Sequence, residues 1–291
     1  MKRGRVGGEV TVDTELLRRP ATRAEFASFF GRATLDGFRY RRAFRDVERF
    51  FFLLGYARSG STLFGSVLNA HPEMVIAHEA DAFRYLRPGV TRNQLYAILL
   101  DRDRRFEIVG RHHHGFDYAV PGYGQGHFSR LRVIGDKHAG QATKRLGEDP
   151  RLLTRLRDLV GVPIRSVHLV RNPFDNIASN ATNRRLPVSQ CIEIYRQRGT
   201  AVDKVRVDFA PDELLDLRYE DFVADPSRWL RTVCRFVGVD APDPYIGACA
   251  AVMDADGRKS RYRVEWSAEE RHEVEALIAS RPVLQGYTFD E

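Results

Sequence analysis

Residues 49–70, RFFFLLGYARSGSTLFGSVLNA, have the types and spacing to hold an anion. An apolar run, Phe50 to Leu54, ends in the loop Gly55-Tyr56-Ala57-Arg58-Ser59-Gly60-Ser61-Thr62, and a helical pattern opens at Leu63. A strand, a tight glycine loop and a helix start make an anion cradle. The first helical turn leaves backbone N–H groups without partners, and the macrodipole adds partial positive charge there. Other groups suited to the same chemistry stand just after later apolar runs. Glu79 has the proton-accepting carboxylate that a general base needs, although by residue type alone it reads as a capping or solvated acid near Asp81. Lys137, in Gly135-Asp136-Lys137-His138, offers an ammonium for a leaving-group oxygen; a surface lysine is the ordinary alternative. Arg171, with Ser179 on the helix that follows, suits bidentate phosphate contacts. Tyr219 could stack on a base or be an aromatic at the edge of the core. The basic run Arg258-Lys259-Ser260-Arg261 could fold over an anionic ligand or be an ordinary charged loop.

The first loop nearly matches the nucleotide-binding spacing G-x-x-x-x-G-K-[ST], but Ser61 stands where the lysine belongs and the basic group sits at Arg58. A nucleoside triphosphatase also places an aspartate after a strand to hold Mg²⁺. Arg171 occupies that kind of position here.

These groups must be carried by strands that share an edge. Short apolar runs bounded by turn signals recur at 51–55, 74–77, 131–135, 164–170 and 214–217, with helical patterns at 60–70, 91–104, 139–160, 173–205, 227–237 and 267–280. One or two further amphipathic helices are expected between Thr22 and Arg49. The alternation predicts an α/β fold with a central parallel sheet of about five strands flanked by helices. Ligands bind beyond the carboxyl ends of strands in such sheets, which is where the candidate residues lie. We expect a weakly ordered basic segment over 1–22 and a single domain over 23–291. The segment 110–128, GRHHHGFDYAVPGYGQGHF, reads as a long loop over the site.

Composition sets wider bounds. The 291 residues are 43% hydrophobic and 29% charged, as in a globular protein, and the net charge of +7 favours anionic partners. Only five of the 46 basic residues are lysines, so Lys137 stands out. Cys191, Cys234 and Cys249 show no C-x-x-C spacing, which suggests a reducing compartment. No apolar stretch approaches the ~20 residues of a membrane span, and the N-terminus lacks the apolar core of a secretory signal. A cytoplasmic protein without a transmembrane segment is expected. The triple His112-His113-His114 invites a metal, but consecutive side chains of an extended chain alternate faces and cannot converge on one ion. No metal is expected from it.

Taken together, these residues resemble the sulfotransferases that use 3′-phosphoadenosine 5′-phosphosulfate (PAPS) over most of residues 49–280. Gly55 to Leu63 is similar to the family's 5′-phosphosulfate loop, and Leu169-Val170-Arg171-Asn172-Pro173-Phe174-Asp175 with Ser179 to its 3′-phosphate motif. Asn69-Ala70-His71-Pro72-Glu73, leading to His78-Glu79, most resembles the tyrosylprotein-type branch. The resemblance implies a P-loop-like sulfotransferase fold and a nucleotide-binding transferase that moves a sulfuryl group from PAPS to an acceptor hydroxyl or amine, without a metal. It implies Glu79 as base, with His78 a weaker candidate, and Lys137 and Arg58 facing the transferring group. Ser59, Gly60, Ser61, Thr62 and Arg58 would hold the 5′-phosphosulfate, and Arg171 and Ser179 the 3′-phosphate. Tyr219 would lie near the adenine, with Arg258, Lys259 and Arg261 in a closing loop. The expected acceptor is a small or lipid-like molecule rather than nucleic acid, and Phe116, Tyr118 and Tyr123 could line its pocket. The alternatives are a P-loop kinase or NTPase and a non-catalytic binder of nucleic acid or sulfated glycan. Neither the acceptor nor the oligomeric state is legible.

Overall fold

All five apolar runs are strands of one parallel sheet, built from alternating strands and helices. A computed structural model describes residues 22–113, 116–253 and 259–290. The chain enters through α1 (Arg23–Arg39) and α2 (Arg41–Arg45) and then forms β1 (Arg49–Gly55), α3 (Ser61–Asn69) and β2 (Met74–Ala77). Helix α4 (Arg92–Ile108) leads to a small antiparallel pair, β3 (His112–His113) and β4 (Phe116–Asp117), and on to β5 (Val133–Asp136). Helices α5 (Ala139–Glu148) and α6 (Arg151–Val160) precede β6 (Ile164–Val170); α7 (Pro173–Arg184) and α8 (Val188–Arg206) precede β7 (Leu214–Arg218). The rest is α9 (Tyr219–Ala224), α10 (Pro226–Val237), α11 (Asp243–Ala251) and α12 (Ala268–Ala279). Most of the segment expected to be weakly ordered, 1–21, lies outside the described residues. Thr22 is inside them and forms the capping box of α1 with Glu25.

The strand order is β2-β5-β1-β6-β7, so β1 sits at the centre with β5 and β6 on either side. Its alternation explains the layering. Phe50, Phe52 and Leu54 join one buried cluster with residues of α4, α5, α6 and α8, while Phe51 and Leu53 join another with α3, α10 and α11. A strand buried on both faces must read as a continuous apolar run, as Phe50 to Leu54 does. The carboxyl ends of β1, β2, β5, β6 and β7 therefore face one way along the sheet and bring their following loops to one edge.

The structure departs from the sequence reading in a few places. The third strand begins at Val133 instead of 131, because Arg132 turns to Glu48 and Glu73 before the ladder starts. The helical pattern 139–160 is two helices broken at Asp149-Pro150, and 173–205 is two helices broken at Arg185-Leu186-Pro187. Proline lacks the N–H that a continuing helix needs, and it disfavours helical geometry in the residue before it. Arg185 takes up the second turn with a φ of 56°. Helices α9 and α11 fall outside the helical patterns of the sequence.

The junction of β1 with its loop is held from outside. The buried Gly55 N–H donates to Thr143 Oγ1 on α5 at 2.8 Å, and Thr143 is fully buried. Replacing Thr143 with isosteric valine leaves that N–H without its acceptor. T143V should lose about 1–3 kcal/mol of stability, read as a lower urea midpoint at unchanged slope. An unchanged midpoint would show that this bond does not hold the loop.

Candidate active site

The loop after β1 crosses the sheet edge as Tyr56–Gly60 and enters α3 at Ser61. Gly60 is the N-cap with a φ of 86°, and it provides no side chain to close the helix start. The Tyr219 ring is the reason for glycine here: a Cβ at this position would lie 2.2 Å from Tyr219 Cδ2. Ser59 is buried and its hydroxyl donates to the Tyr56 carbonyl at 2.9 Å, so its side chain folds the loop and is not offered to a ligand. The Ala57 carbonyl accepts from Nδ2 of both Asn176 and Asn180 on α7, at 3.0 and 3.2 Å. These clamps hold Arg58 at a φ of 68°, a costly conformation for a side chain with a Cβ.

Arg58 reaches across to α7, where its Nε donates to Ser179 Oγ at 3.1 Å. Arg171, at the end of β6, is buried; it lies over the Tyr219 ring at 5.5 Å, and its Nη1 is 3.5 Å from the Arg58 carbonyl oxygen. Burial lowers the Arg58 pKa, and the Arg171 guanidinium lowers it further. Arg171 lies close enough to act on the Arg58 charge while its own Nη2 stands 3.9 Å from the Asp175 carboxylate, and a multiply charged anion would relieve the two like charges. Arg171, Ser179, Arg58 and Tyr219, read separately from the sequence, are thus one cluster.

A second cluster forms on the other side of α3. Lys137 follows β5 and is almost fully buried. Its Nζ donates to Thr62 Oγ1 at 2.8 Å and to Glu79 Oε1 at 3.0 Å. The surface-lysine alternative is therefore wrong. The stem of Lys137 crosses α3 at Gly65, where a Cβ would stand 2.3 Å from Lys137 Cγ. Burial opposes ionisation of Glu79, but the Lys137 ammonium overcomes it and holds the carboxyl well below the usual carboxylate range. Glu79 is not a helix cap either: it sits in a turn where it and Asp81 both have positive φ, 54° and 65°. Asp136 pins that turn, its two carboxylate oxygens accepting from the N–H groups of Ala80 and Ala82 at 2.9 Å each. Arg145 clamps Asp81 from α5 with two 2.6 Å bonds. Beside Lys137 lies a small cleft whose walls include Thr62, Ser66, His78, Phe106 and Arg111.

The remaining candidates divide. Tyr118 lies close enough to Arg58 to act on its charge, whereas Tyr123 packs on Tyr245 at 6.0 Å and serves the core. The 110–128 loop is tied down: Gln125 Nε2 donates to the Ser66 and Tyr118 carbonyls, and Arg111 pairs with buried Asp103. Arg258 lies outside the described residues. Lys259 is exposed just before a turn of 3-10 helix, Ser260–Arg263. Arg261 is committed elsewhere, its guanidinium spanning both oxygens of Asp175 and the carbonyls of Thr288 and Phe289. It anchors the closing loop to α7. Sequence reasoning missed Asp136, Asn176, Asn180 and Thr143. Asn176 and Asn180, four apart on a helix with an apolar face, left a readable trace; the others did not.

No helix of the described residues is long and apolar enough to cross a membrane. A model of the Sulfotransferase family matches residues 51–243, about two thirds of the chain. Protein-tyrosine sulfotransferase 1 of Danio rerio is 24% identical over 196 residues, 65% of this chain and 52% of that protein. The chain thus spans about half the length of that relative. The sulfotransferase domain of the Synechococcus PCC 7002 olefin synthase is 18% identical and superposes with a TM-score of 0.49, covering 80% of this chain and 94% of that domain. A sulfotransferase from Alicyclobacillus acidocaldarius is 19% identical with a TM-score of 0.43, over 79% and 91% of the two chains. Matched across most of its length, from within β1 to the start of α11, the chain belongs to the sulfotransferase family.

Proposed function

We propose that this protein transfers a sulfuryl group from PAPS to the hydroxyl or amine of a small or lipid-like acceptor, within one domain over 23–291. One observation carries the reading. The Lys137 ammonium is bonded at once to Thr62 at the helix start and to Glu79, which joins an anion cradle to a proton acceptor. In the reaction the acceptor oxygen bonds to sulfur as the sulfur–oxygen bond to the 5′-phosphate breaks. The acceptor's proton passes to Glu79 Oε, and adenosine 3′,5′-bisphosphate leaves with the electron pair. Negative charge grows on the leaving oxygen, and Lys137, Arg58 and the N–H groups of Ser61 and Thr62 would stabilise it as hydrogen-bond donors. Lys137 cannot serve both partners fully. As its ammonium turns to the donor, the Glu79 carboxylate is released towards the acceptor.

Arg171 and Ser179 support a 3′-phosphate site, with Ser179 tied to the Arg58 loop and the Tyr219 ring beside Gly60 suited to the adenine. Arg258 and Lys259 are proposed as the outer lip, near the loop anchored by Arg261. A kinase or NTPase is disfavoured because Ser61 replaces the loop lysine and Arg171 stands at the strand end that would need a metal-binding acid. The three free cysteines are buried, which fits the cytoplasmic location we propose.

Two outcomes test this. Glu79→Gln should lower turnover by about a hundredfold to ten-thousandfold while adenosine 3′,5′-bisphosphate binds as in the parent; near-parental turnover would remove Glu79 from the base role. In calorimetric titrations the parent should bind adenosine 3′,5′-bisphosphate far more tightly than adenosine 5′-phosphate. Arg171→Ala should erase about 1.5–3 kcal/mol of that preference. Tighter binding of Mg²⁺–ATP than of the bisphosphate would overturn the assignment.

A further inference from the structure

Next to the proposed base, His78, Glu79 and His113 each bring one ligand-capable atom to the same place. A ring nitrogen, a carboxylate oxygen and a second ring nitrogen lie within 4.8 Å of one another. Separate constraints hold them. The His78 ring lies flat on Phe106, with centroids 3.8 Å apart and planes 9° apart, and its backbone carbonyl accepts from Arg102 Nε at 2.7 Å. Glu79 is fixed by its positive φ and by the Asp136 clamp on the next residues. His113, on the two-residue strand β3, meets the His78 ring edge to face at 4.7 Å. The histidine triple is thus not a metal motif in itself. One of its rings completes a set begun thirty-five residues earlier in the chain.

We propose that His78, Glu79 and His113 form a binding site for a borderline-soft divalent cation such as Zn²⁺, and that its occupancy takes the Glu79 carboxylate away from Lys137. Two imidazoles and a carboxylate, with a fourth position open, are an established donor set for that ion. His113 is half-buried on the two-residue strand β3. The Lys137 ammonium, 3.0 Å from Glu79 Oε1, competes with the cation for one carboxylate. The ion pair and the metal complex are therefore alternatives, and this competition is the site's distinguishing property. That metal occupancy silences transfer follows only if Glu79 is the base proposed above; the binding itself does not depend on that reading.

The test is titration of the full chain with Co²⁺, followed by visible absorption, and with Zn²⁺, followed by calorimetry. One Co²⁺ per chain should bind with the intense bands of a four- or five-coordinate ion. H113A and E79Q should each weaken Zn²⁺ by more than about tenfold, H112A should change nothing, and K137M should tighten it. Adenosine 3′,5′-bisphosphate titrated into the same variants reports whether they fold and whether the donor site survives. A loss of bisphosphate binding by the parent would sink the transferase reading and leave the metal site standing. Equal Zn²⁺ affinity in the parent and H113A, or a six-coordinate Co²⁺ spectrum, would overturn the site. Weaker or unchanged binding by K137M would overturn the competition. If H113A also loses the bisphosphate, H113Q read by the Co²⁺ spectrum decides.

Discussion

The buried ammonium of Lys137 is the constraint on which the rest of this site depends. Taking a charge out of water costs several kcal/mol unless partners repay it. Here the partners come from two different elements, Thr62 on α3 and Glu79 after β2. For Lys137 to reach them, β5 must lie between β1 and β2, as the sheet order places it, and α3 must present no side chain at Gly65. The turn after β2 must also be held in an unfavourable backbone conformation, which Asp136, the residue immediately before Lys137, enforces. One dipeptide at the end of one strand therefore places both the ammonium and the backbone that carries its counterion.

Strain marks the same places. Among the described residues only five without glycine have positive φ, and three of them, Arg58, Glu79 and Asp81, belong to the two loops of the site. Such conformations persist where surrounding bonds over-determine them. The bonds here are long-range and shielded at least in part from water: Asn176 and Asn180 to Ala57, Asp136 to Ala80 and Ala82, and Arg145 to Asp81. The loops are set by the framework before any ligand arrives, which limits the reorganisation left for the reaction.

Much of this framework could be read in the sequence. Strands buried on both faces give apolar runs that end at glycine, proline or charge, and all five were found within two residues. The breaks at Pro150 and Pro187 were equally written there, but an unbroken helical pattern on both sides outweighed them. Arg58, Arg171 and Ser179 were legible as a cradle and a phosphate pair because each sits in a local motif. Glu79 and Lys137 were legible only through resemblance, since their residue types favoured ordinary roles and nothing local predicts a bond spanning 58 positions. Asp136 and His113 act through contacts across the sheet edge, and a reading that proceeds along the chain has no access to such contacts.

The missing loop lysine has a counterpart in the structure that the sequence could not supply. A nucleotide-binding loop carries its cation on the helix start, so the charge and the backbone cradle arrive together. In this chain both flanks of the helix start are already filled. The Tyr219 ring occupies the space beside Gly60, and the stem of Lys137 occupies the space over Gly65. With small residues at the helix start, cations can be brought in from other elements, Lys137 from β5 on one side and Arg58 with Arg171 on the other. The division suits an anion with two separated charge centres better than a linear triphosphate held at one. It also leaves Lys137 in contact with two partners at once, Thr62 and Glu79.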